Sequence, residues 1–166
     1  KKCVIIAAPH TTNWDFFITI SVFDQLKIPV RFAIKKEANF PVIGKWIEKM
    51  GAIWIDRGKD ESGKRKSYVD QMVELFEERD ELVLVLAAEG TRSLVKNWKT
   101  GFYHVARKAN VPIALGFLDY EKKLAGFGPI FQPSDDMEAD MRRLMEFYSD
   151  KVGHTPEKFM LDERYV

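Results

Sequence analysis

A histidine and an aspartate five positions apart, His10 and Asp15, are residues whose types could together do acid–base chemistry. They belong to the polar run HTTNWD, which separates the apolar segments CVIIAA and FFITISVF. Five positions on one helix are about 140° apart, so the two side chains can meet only if His10 lies in a loop and Asp15 in the first helical turn. The carboxylate could then hold the imidazole in one tautomer, and the histidine could act as a general base.

The same spacing has a purely structural interpretation. Thr12 could be the N-cap of the helix, with Asp15 as its capping-box partner at the third helical position. The two interpretations are compatible, because an aspartate kept ionised at a helix N-terminus can also orient a histidine.

A second polar group follows the apolar run LVLVLA, in the segment AAEGTRS. Gly90 lets the backbone approach a ligand, Thr91 offers a hydroxyl, and Arg92 offers a planar fork for phosphate or carboxylate. Glu89 could orient Arg92 or pair with a substrate hydroxyl. A turn with a solvated arginine is the structural alternative. Arg57 follows another apolar run, AIWI, and two arginines at one edge would suit a phosphorylated ligand.

A competing motif lies at residues 58–65, where GKDESGKR matches the phosphate-loop pattern GxxxxGK. The pattern requires Ser or Thr after the lysine to bind magnesium, and this chain has Arg65 there. Asp60 and Glu61 place negative charge where phosphates would be held by backbone amides. A solvated basic loop is therefore favoured, and a nucleotide-binding protein is kept as the alternative function.

Elements that would position these residues follow from the hydrophobic pattern. Strand-length runs that are apolar on both faces are typical of a sheet covered by helices on both sides; they are residues 3–8, 30–34, 52–55, 82–87 and 112–118. Segments of helical period alternate with them, at residues 14–26, 40–50, 61–80, 99–109 and 134–152, the last with Ser134 as its expected N-cap.

This alternation predicts an α/β fold, a largely parallel sheet flanked by helices on both faces, in a single domain over residues 1–166. Ligands of open α/β sheets bind beyond the carboxyl ends of the strands. The polar segments PHTTNWD, DRGK and AEGTRS all follow predicted strands, so we expect them at that one edge. The opening KKCVII has no initiator Met and is compatible with a missing N-terminal segment.

Composition excludes several classes of protein. The net charge of +1 argues against a nucleic-acid-binding surface, and no apolar run approaches the roughly 20 residues of a membrane span. The single cysteine, Cys3, cannot form an internal disulfide, and His10, His104 and His154 lack the spacing of a zinc site. We therefore expect a reducing, cytoplasmic compartment and no structural metal.

HTTNWD resembles the HxxxxD motif of the glycerolipid acyltransferases, the group that includes 1-acylglycerol-3-phosphate acyltransferase. FPVIGKWIEKMGAIWIDR is similar to the second block of that family, AAEGTRS to its EGTR block and VPIAL to its fourth block. The four blocks occur in the order of the family, over residues 3–116. Together they form a specific signal, whereas one block alone would be weak.

The resemblance implies that His10 is the general base on an acceptor hydroxyl and that Asp15 orients the imidazole. The hydroxyl would attack an acyl thioester directly, without an acyl-enzyme, which fits the lack of a GxSxG motif. The acceptor phosphate would be bound by Arg57, Glu89, Gly90, Thr91 and Arg92, and Pro112 would help to shape the pocket. No metal or cofactor is expected beyond acyl-CoA or acyl carrier protein as co-substrate.

The implied partners are a lysophospholipid acceptor, such as 1-acylglycerol-3-phosphate, and the inner face of the membrane, with peripheral contact. An apolar stripe near Lys45 and Lys49 could supply that contact, although a buried core face is the commoner use of such spacing; it consists of Phe40, Val42, Ile43, Trp46 and Ile47. A lipid-binding module without catalysis is the second alternative function.

Overall fold

A computed structural model describes residues 1–36, 41–56, 58 and 67–166. The strands in chain order are β1 (Lys2–Ala8), β2 (Val30–Lys35), β3 (Ala52–Ile55), β4 (Leu82–Ala87), β5 (Ile113–Asp119) and β6 (Leu124–Phe131). The α-helices are α1 (Trp14–Gln25), α2 (Pro41–Lys49), α3 (Tyr68–Glu77), α4 (Gly101–Lys108) and α5 (Met137–Tyr148). A short 3-10 turn, Pro156–Lys158, follows α5.

The strands form one sheet in the order β3-β2-β4-β1-β5-β6. The first five are parallel, and β6 pairs antiparallel with β5 at the edge. The predicted α/β fold with a largely parallel sheet is therefore confirmed. β6 was not predicted, because its sequence LAGFGPIF carries two glycines and a proline and most of its residues are exposed.

Both faces of the sheet are covered. On one face, buried side chains of α3, α4 and α5, such as Phe76, Val105 and Leu144, pack against alternate residues of the strands. On the other face, Phe23 of α1 packs against Ile5 and neighbouring strand residues. Burial on both faces explains why the strands are continuously apolar in sequence.

The start of α1 combines features of both interpretations of Asp15. Asn13, not Thr12, is the N-cap, and its side chain makes no capping hydrogen bond. The Thr12 hydroxyl instead accepts a hydrogen bond from the backbone N–H of Trp14, at 3.4 Å. Asp15 accepts the backbone N–H of Thr12 at 2.9 Å, which is the return half of a capping box. The prediction of Thr12 as N-cap was wrong.

The start of α5 also differs from the prediction. Asp136, not Ser134, is the N-cap, and its carboxylate accepts a hydrogen bond from the backbone N–H of Ala139 at 2.9 Å. The Ser134 hydroxyl accepts from the backbone N–H of Asp136 and so shapes the turn before the helix. Both residue types favour such positions, and the apolar pattern begins only at Met137, so sequence alone placed the cap two residues early.

Candidate active site

The site is built where β1 and β4 end side by side. These strands are parallel neighbours, and Ala7 of β1 is in register with Ala87 of β4. The loop after β1 carries His10, and the loop after β4 carries Glu89. The backbone N–H of His10 donates a hydrogen bond to Oε1 of Glu89 at 3.1 Å, so the two loops are joined directly.

His10 and Asp15 form the predicted pair. Nδ1 of His10 lies 3.3 Å from Oδ2 of Asp15, and the side chains are 23% and 5% exposed, respectively. The same Oδ2 accepts the backbone N–H groups of Thr11 at 2.8 Å and Thr12 at 2.9 Å. A carboxylate facing Nδ1 favours the tautomer with its proton on Nδ1, which leaves the Nε2 lone pair free to accept a proton.

Several opposing effects set the pKa of Asp15. Burial acts to raise this pKa, but hydrogen bonds from His10, Tyr120 and the backbone of Thr12 and Thr11 together hold it below its ordinary value. Asp15 is therefore ionised at neutral pH and can stabilise a positive charge on the imidazole.

Tyr120 is a site residue that the sequence interpretation missed. Its hydroxyl donates a hydrogen bond to Oδ1 of Asp15 at 2.7 Å. Burial, followed by this contact with Asp15, raises the pKa of the Tyr120 phenol, so the hydroxyl stays protonated. Tyr120 directly follows β5, at the carboxyl ends of the parallel strands, and this position could have predicted that it belongs to the site.

No hydrogen bond or ion pair joins Glu89 to Arg92, although that pairing was one of the two predicted roles of Glu89. Its side chain is buried, Oε1 accepts the His10 backbone, and Oε2 has no hydrogen-bond partner in the described part of the chain. Burial raises the pKa of Glu89 to about 7, and the hydrogen bond from the His10 backbone only partly offsets this effect. The carboxyl group therefore supports the loop that carries His10.

The remaining residues of the AAEGTRS loop lie at the same edge. Arg92 donates a hydrogen bond from its guanidinium to the Asn13 side chain, next to the HTTNWD loop. Gly90 has a φ of +71°, and a Cβ there would lie 2.8 Å from the Lys99 side chain, which explains the glycine. The Thr91 hydroxyl accepts the backbone N–H of Ser93 at 3.3 Å.

Two predicted elements lie outside the described residues. Arg57 is one of them, so its place relative to Arg92 stays a prediction. Residues 59–66 of the phosphate-loop match are the other, and only Gly58 of that segment is described.

Pro112 lies at the amino ends of the parallel strands, whereas His10 follows their carboxyl ends. Its carbonyl accepts a hydrogen bond from the backbone N–H of Val4 at 3.0 Å, directly before β5 begins. Because β1 and β5 are parallel, this is the amino end of both strands. The expectation that Pro112 shapes the pocket beside His10 was wrong.

A cavity of about 190 Å³ extends from His10 and Asp15 into the layer between α1 and the sheet. Its walls are mostly apolar: Phe16, Val22 and Phe23 from α1, and Ile5, Ala7, Phe32, Ala33, Val85, Ala87, Gly116, Ala125 and Phe127 from the sheet. Phe16 and Phe23 are seven positions apart, about 10 Å along the helix. A polar pair at one end of an apolar cavity can bind a chain-like apolar group whose reactive end meets the histidine.

Large apolar side chains are exposed beside this cavity. Trp14 and Phe17 are 63% and 44% exposed, with ring centroids 5.9 Å apart on the outer side of α1, and Leu124 at the start of β6 is 56% exposed. In the apolar stripe predicted to contact the membrane, Trp46 is exposed and Ile47 is half-buried. Phe40 and the side chains of Val42 and Ile43 are not among those that the structure describes. None of the helices in the described ranges has the length and apolar character that a membrane span requires.

The described side chains offer no candidate metal site. Among the described side chains, no group of three or more His, Cys, Asp or Glu residues could hold a metal ion. Asp15 faces the imidazole of His10, and Glu89 accepts a hydrogen bond from the His10 backbone, so both carboxyl groups already have protein partners. The expectation that the chemistry uses no metal stays a prediction.

Comparison with known proteins identifies the class. The family described as Acyltransferase matches residues 1–114, which is more than half of the chain, and the chain belongs to that family. This confirms the resemblance predicted from the HTTNWD and AAEGTRS motifs.

One relative is a protein of Mycoplasma genitalium named "Probable 1-acyl-sn-glycerol-3-phosphate acyltransferase", with 29% identity over 145 residues. The match covers 77% of this chain and 51% of the relative, so the chain spans about half the length of that curated protein. No solved structure matches the chain significantly.

Proposed function

We propose that this protein transfers a fatty acyl group from a thioester to a hydroxyl of a lysophospholipid-type acceptor such as 1-acylglycerol-3-phosphate. The observation that carries the proposal is the His10–Asp15 pair at one end of the apolar cavity. Membership of the acyltransferase family and the name of the mycoplasma relative support it.

In the proposed reaction, Nε2 of His10 accepts the proton of the acceptor hydroxyl while the hydroxyl oxygen attacks the thioester carbonyl. Asp15 stabilises the imidazolium that forms, because it is ionised and faces Nδ1. The tetrahedral intermediate then collapses, the C–S bond breaks, and the proton on His10 passes to the departing thiolate. A C–O bond has replaced the C–S bond, and no acyl-enzyme is formed.

The acyl chain of the donor would occupy the cavity between α1 and the sheet, whose apolar walls exclude water from it. The thioester carbonyl would then lie beside His10. Acyl-CoA and acyl carrier protein both present such a thioester, and either serves as co-substrate in this scheme without a further cofactor.

The acceptor phosphate would be bound by the loop after β4. Arg92 supplies the planar cationic fork, Thr91 a hydroxyl and Gly90 an exposed backbone segment. Arg92 already contacts Asn13, in the same HTTNWD motif as His10, which supports this placement. Arg57 is proposed as a second phosphate ligand from the family resemblance, and Glu89 acts through the His10 backbone because its carboxyl group is buried.

Peripheral membrane contact is proposed for the exposed face of α1 that carries Trp14 and Phe17, together with the exposed Leu124 at the start of β6. Tryptophan favours the membrane–water interface because its ring is apolar and its N–H is polar. This face adjoins the cavity, since Asp15 and Phe16, which lie between Trp14 and Phe17 in sequence, both line it. A lipid acceptor could therefore reach His10 without leaving the interface.

The test is acceptor-dependent release of free thiol, with 1-acylglycerol-3-phosphate as acceptor. The donor is a long-chain acyl-CoA in one arm and the acylated form of acyl carrier protein in the other. The wild type is compared with His10→Ala and with His104→Ala, an exposed histidine on α4. We expect release by the wild type and His104→Ala and its loss in His10→Ala. Full activity of His10→Ala would contradict the mechanism. Lipid binding without thiol release would favour the non-catalytic lipid-binding module. Magnesium-dependent binding of ATP would favour the phosphate-loop alternative.

A further inference from the structure

The two oxygens of the Asp15 carboxylate have different partners. Oδ2 faces Nδ1 of His10 and also accepts the backbone N–H groups of Thr11 and Thr12. For Oδ1, the hydrogen bonds found in the described part of the chain come from the Tyr120 hydroxyl alone, at 2.7 Å. Asp15 is 3% exposed, so water has little access to replace that donor.

Tyr120 is itself held by the segment that follows α5. Its backbone N–H donates to the carbonyl of Val152 at 2.9 Å, and its ring meets the His154 ring edge-on, with centroids 5.1 Å apart. These contacts fix both the backbone and the ring plane from which the hydroxyl reaches Asp15.

The same segment also contacts the His10 loop. The backbone N–H of Thr155 donates to Oγ1 of Thr11 at 3.2 Å. A Cβ on Gly153 would lie 3.0 Å from the side chains of Pro9 and Thr11, so Gly153 packs closely against that loop. Tyr120 and residues 152–155 all lie beyond residues 1–114, which the family match covers.

We propose that Tyr120 is a positioning residue for acyl transfer, whose hydroxyl holds Oδ1 of Asp15 so that Oδ2 remains directed at Nδ1 of His10. The inference rests on the proposed function of the His10–Asp15 pair. Tyr120 acts through Asp15 and need not touch the substrate.

The physical reason is the cost of leaving a buried carboxylate oxygen without a donor. A hydrogen bond to a charged group contributes more than one between neutral groups, and a buried acceptor that loses its donor carries the full cost of desolvation. Without the phenol, the carboxylate can lower that cost by rotating or by taking up a proton. Either change weakens its interaction with the imidazolium that forms as His10 accepts the proton.

The experiment compares Tyr120→Phe with Tyr103→Phe. Tyr103 is a matched control, because its hydroxyl also donates to a buried aspartate, Asp140, at 2.8 Å, but it has no hydrogen bond to His10, Asp15 or Glu89. Each variant removes one phenol–carboxylate hydrogen bond and no carbon atom. We would measure kcat and KM for acyl transfer, and the titration midpoint of the Asp15 carboxyl by carbon-13 NMR.

For Tyr120→Phe we expect kcat to fall about 10- to 100-fold while KM for the acceptor stays within about two-fold. The Asp15 midpoint should rise, because the lost hydrogen bond favoured the ionised form. Tyr103→Phe should keep the wild-type kcat and Asp15 midpoint, although both variants lose stability. A purely structural role for Tyr120 would not produce this difference.

The inference is overturned if Tyr120→Phe keeps kcat within two-fold of the wild type, if its Asp15 midpoint does not move, or if Tyr103→Phe loses kcat to the same extent. Failure of the proposed function has a different signature. In that case the wild type itself transfers no acyl group, and the NMR titration, which needs no activity, decides alone whether Tyr120 holds Asp15.

Discussion

Oε1 of Glu89 accepts the backbone N–H of His10 at 3.1 Å, across 79 positions of sequence. This hydrogen bond joins the loops that follow two adjacent parallel strands, and it holds the backbone of the candidate general base. Oε2 of the same carboxyl group is buried without a partner among the described residues. Glu89 is thus a buried acid whose ionisation is coupled to the integrity of the site.

We predict that Glu89 makes stability depend on pH between about 4.5 and 7. Its pKa is raised from 4.5 to about 7 in the folded state, so the folded protein binds the proton more tightly than the unfolded chain. The corresponding stability is fully present below pH 4.5 and is lost as the pH rises through 7. The difference is about 3 kcal/mol in the free energy of unfolding.

Glu89→Gln should remove this dependence, because the amide keeps an oxygen acceptor for the His10 backbone and does not titrate. Urea unfolding at pH 5 and pH 8 measures the effect, with the exposed Glu121→Gln as control. Parallel stability curves for the wild type and Glu89→Gln would contradict the raised pKa.

We predict that Asp15→Asn lowers kcat by about 10²- to 10⁴-fold, because the amide cannot stabilise the imidazolium and can hold the wrong tautomer of His10. Steady-state kinetics at saturating donor would measure the loss. Asp24→Asn, at an exposed position of the same helix, should behave as the wild type. A loss of less than about ten-fold in Asp15→Asn would remove Asp15 from the mechanism.

Gly153→Ala is expected to disturb the His10 loop from a position outside it. The new methyl group would press on Pro9 and Thr11 at 3.0 Å, and overpacking of this kind costs about 1–3 kcal/mol. Both thermal stability and kcat should fall. Gly101→Ala is the matched control, since its Cβ would meet no atom within 4 Å. If the two variants had equal activity, the close contact would have no functional effect.

We predict that the length of the cavity limits the length of the acyl chain that the donor can carry. Val22 lines its wall on α1, seven positions or about 10 Å along the helix from Asp15, so Val22→Phe would fill space away from the catalytic pair. Rates with long-chain donors should then fall more than rates with short-chain donors, measured over a series of acyl-CoA lengths. Ser21→Phe adds the same ring on the exposed side of α1 and should leave the preference unchanged. An equal loss at all lengths would mean that the chain binds elsewhere.

Much of the fold could be predicted from sequence because the buried parallel strands carry their own signal. The runs 3–8 and 82–87 are apolar on both faces, and both became central neighbours in the sheet. The pairing of His10 with Asp15 could also be predicted, since it depends on one loop and one helical turn. The place of Pro112 depends on strand direction, which a resemblance between motifs does not contain: it lies at the amino end of β5, away from His10.

Other features had no local signal. β6 is an edge strand with glycines and mostly exposed residues, so its hydrophobic pattern is weak. The Glu89–His10 contact depends on which strands are neighbours, and the order β4-β1 reverses the order of the chain. The contacts of Thr155 and Gly153 with the His10 loop come from irregular backbone, where hydrophobic periodicity carries no information.

The hydrogen bond from Thr155 to Thr11 spans 144 positions, and that from Tyr120 to Asp15 spans 105. Contacts of such long range form late, because the entropy of closing the intervening chain must be overcome first. During synthesis the His10 loop is made before Tyr120 and Thr155, the residues that support it. A ribosome-bound chain that already contains the four motif blocks of residues 3–116 therefore still lacks an assembled candidate site, which is complete only after Tyr120 and residues 152–155 have folded onto the His10 loop.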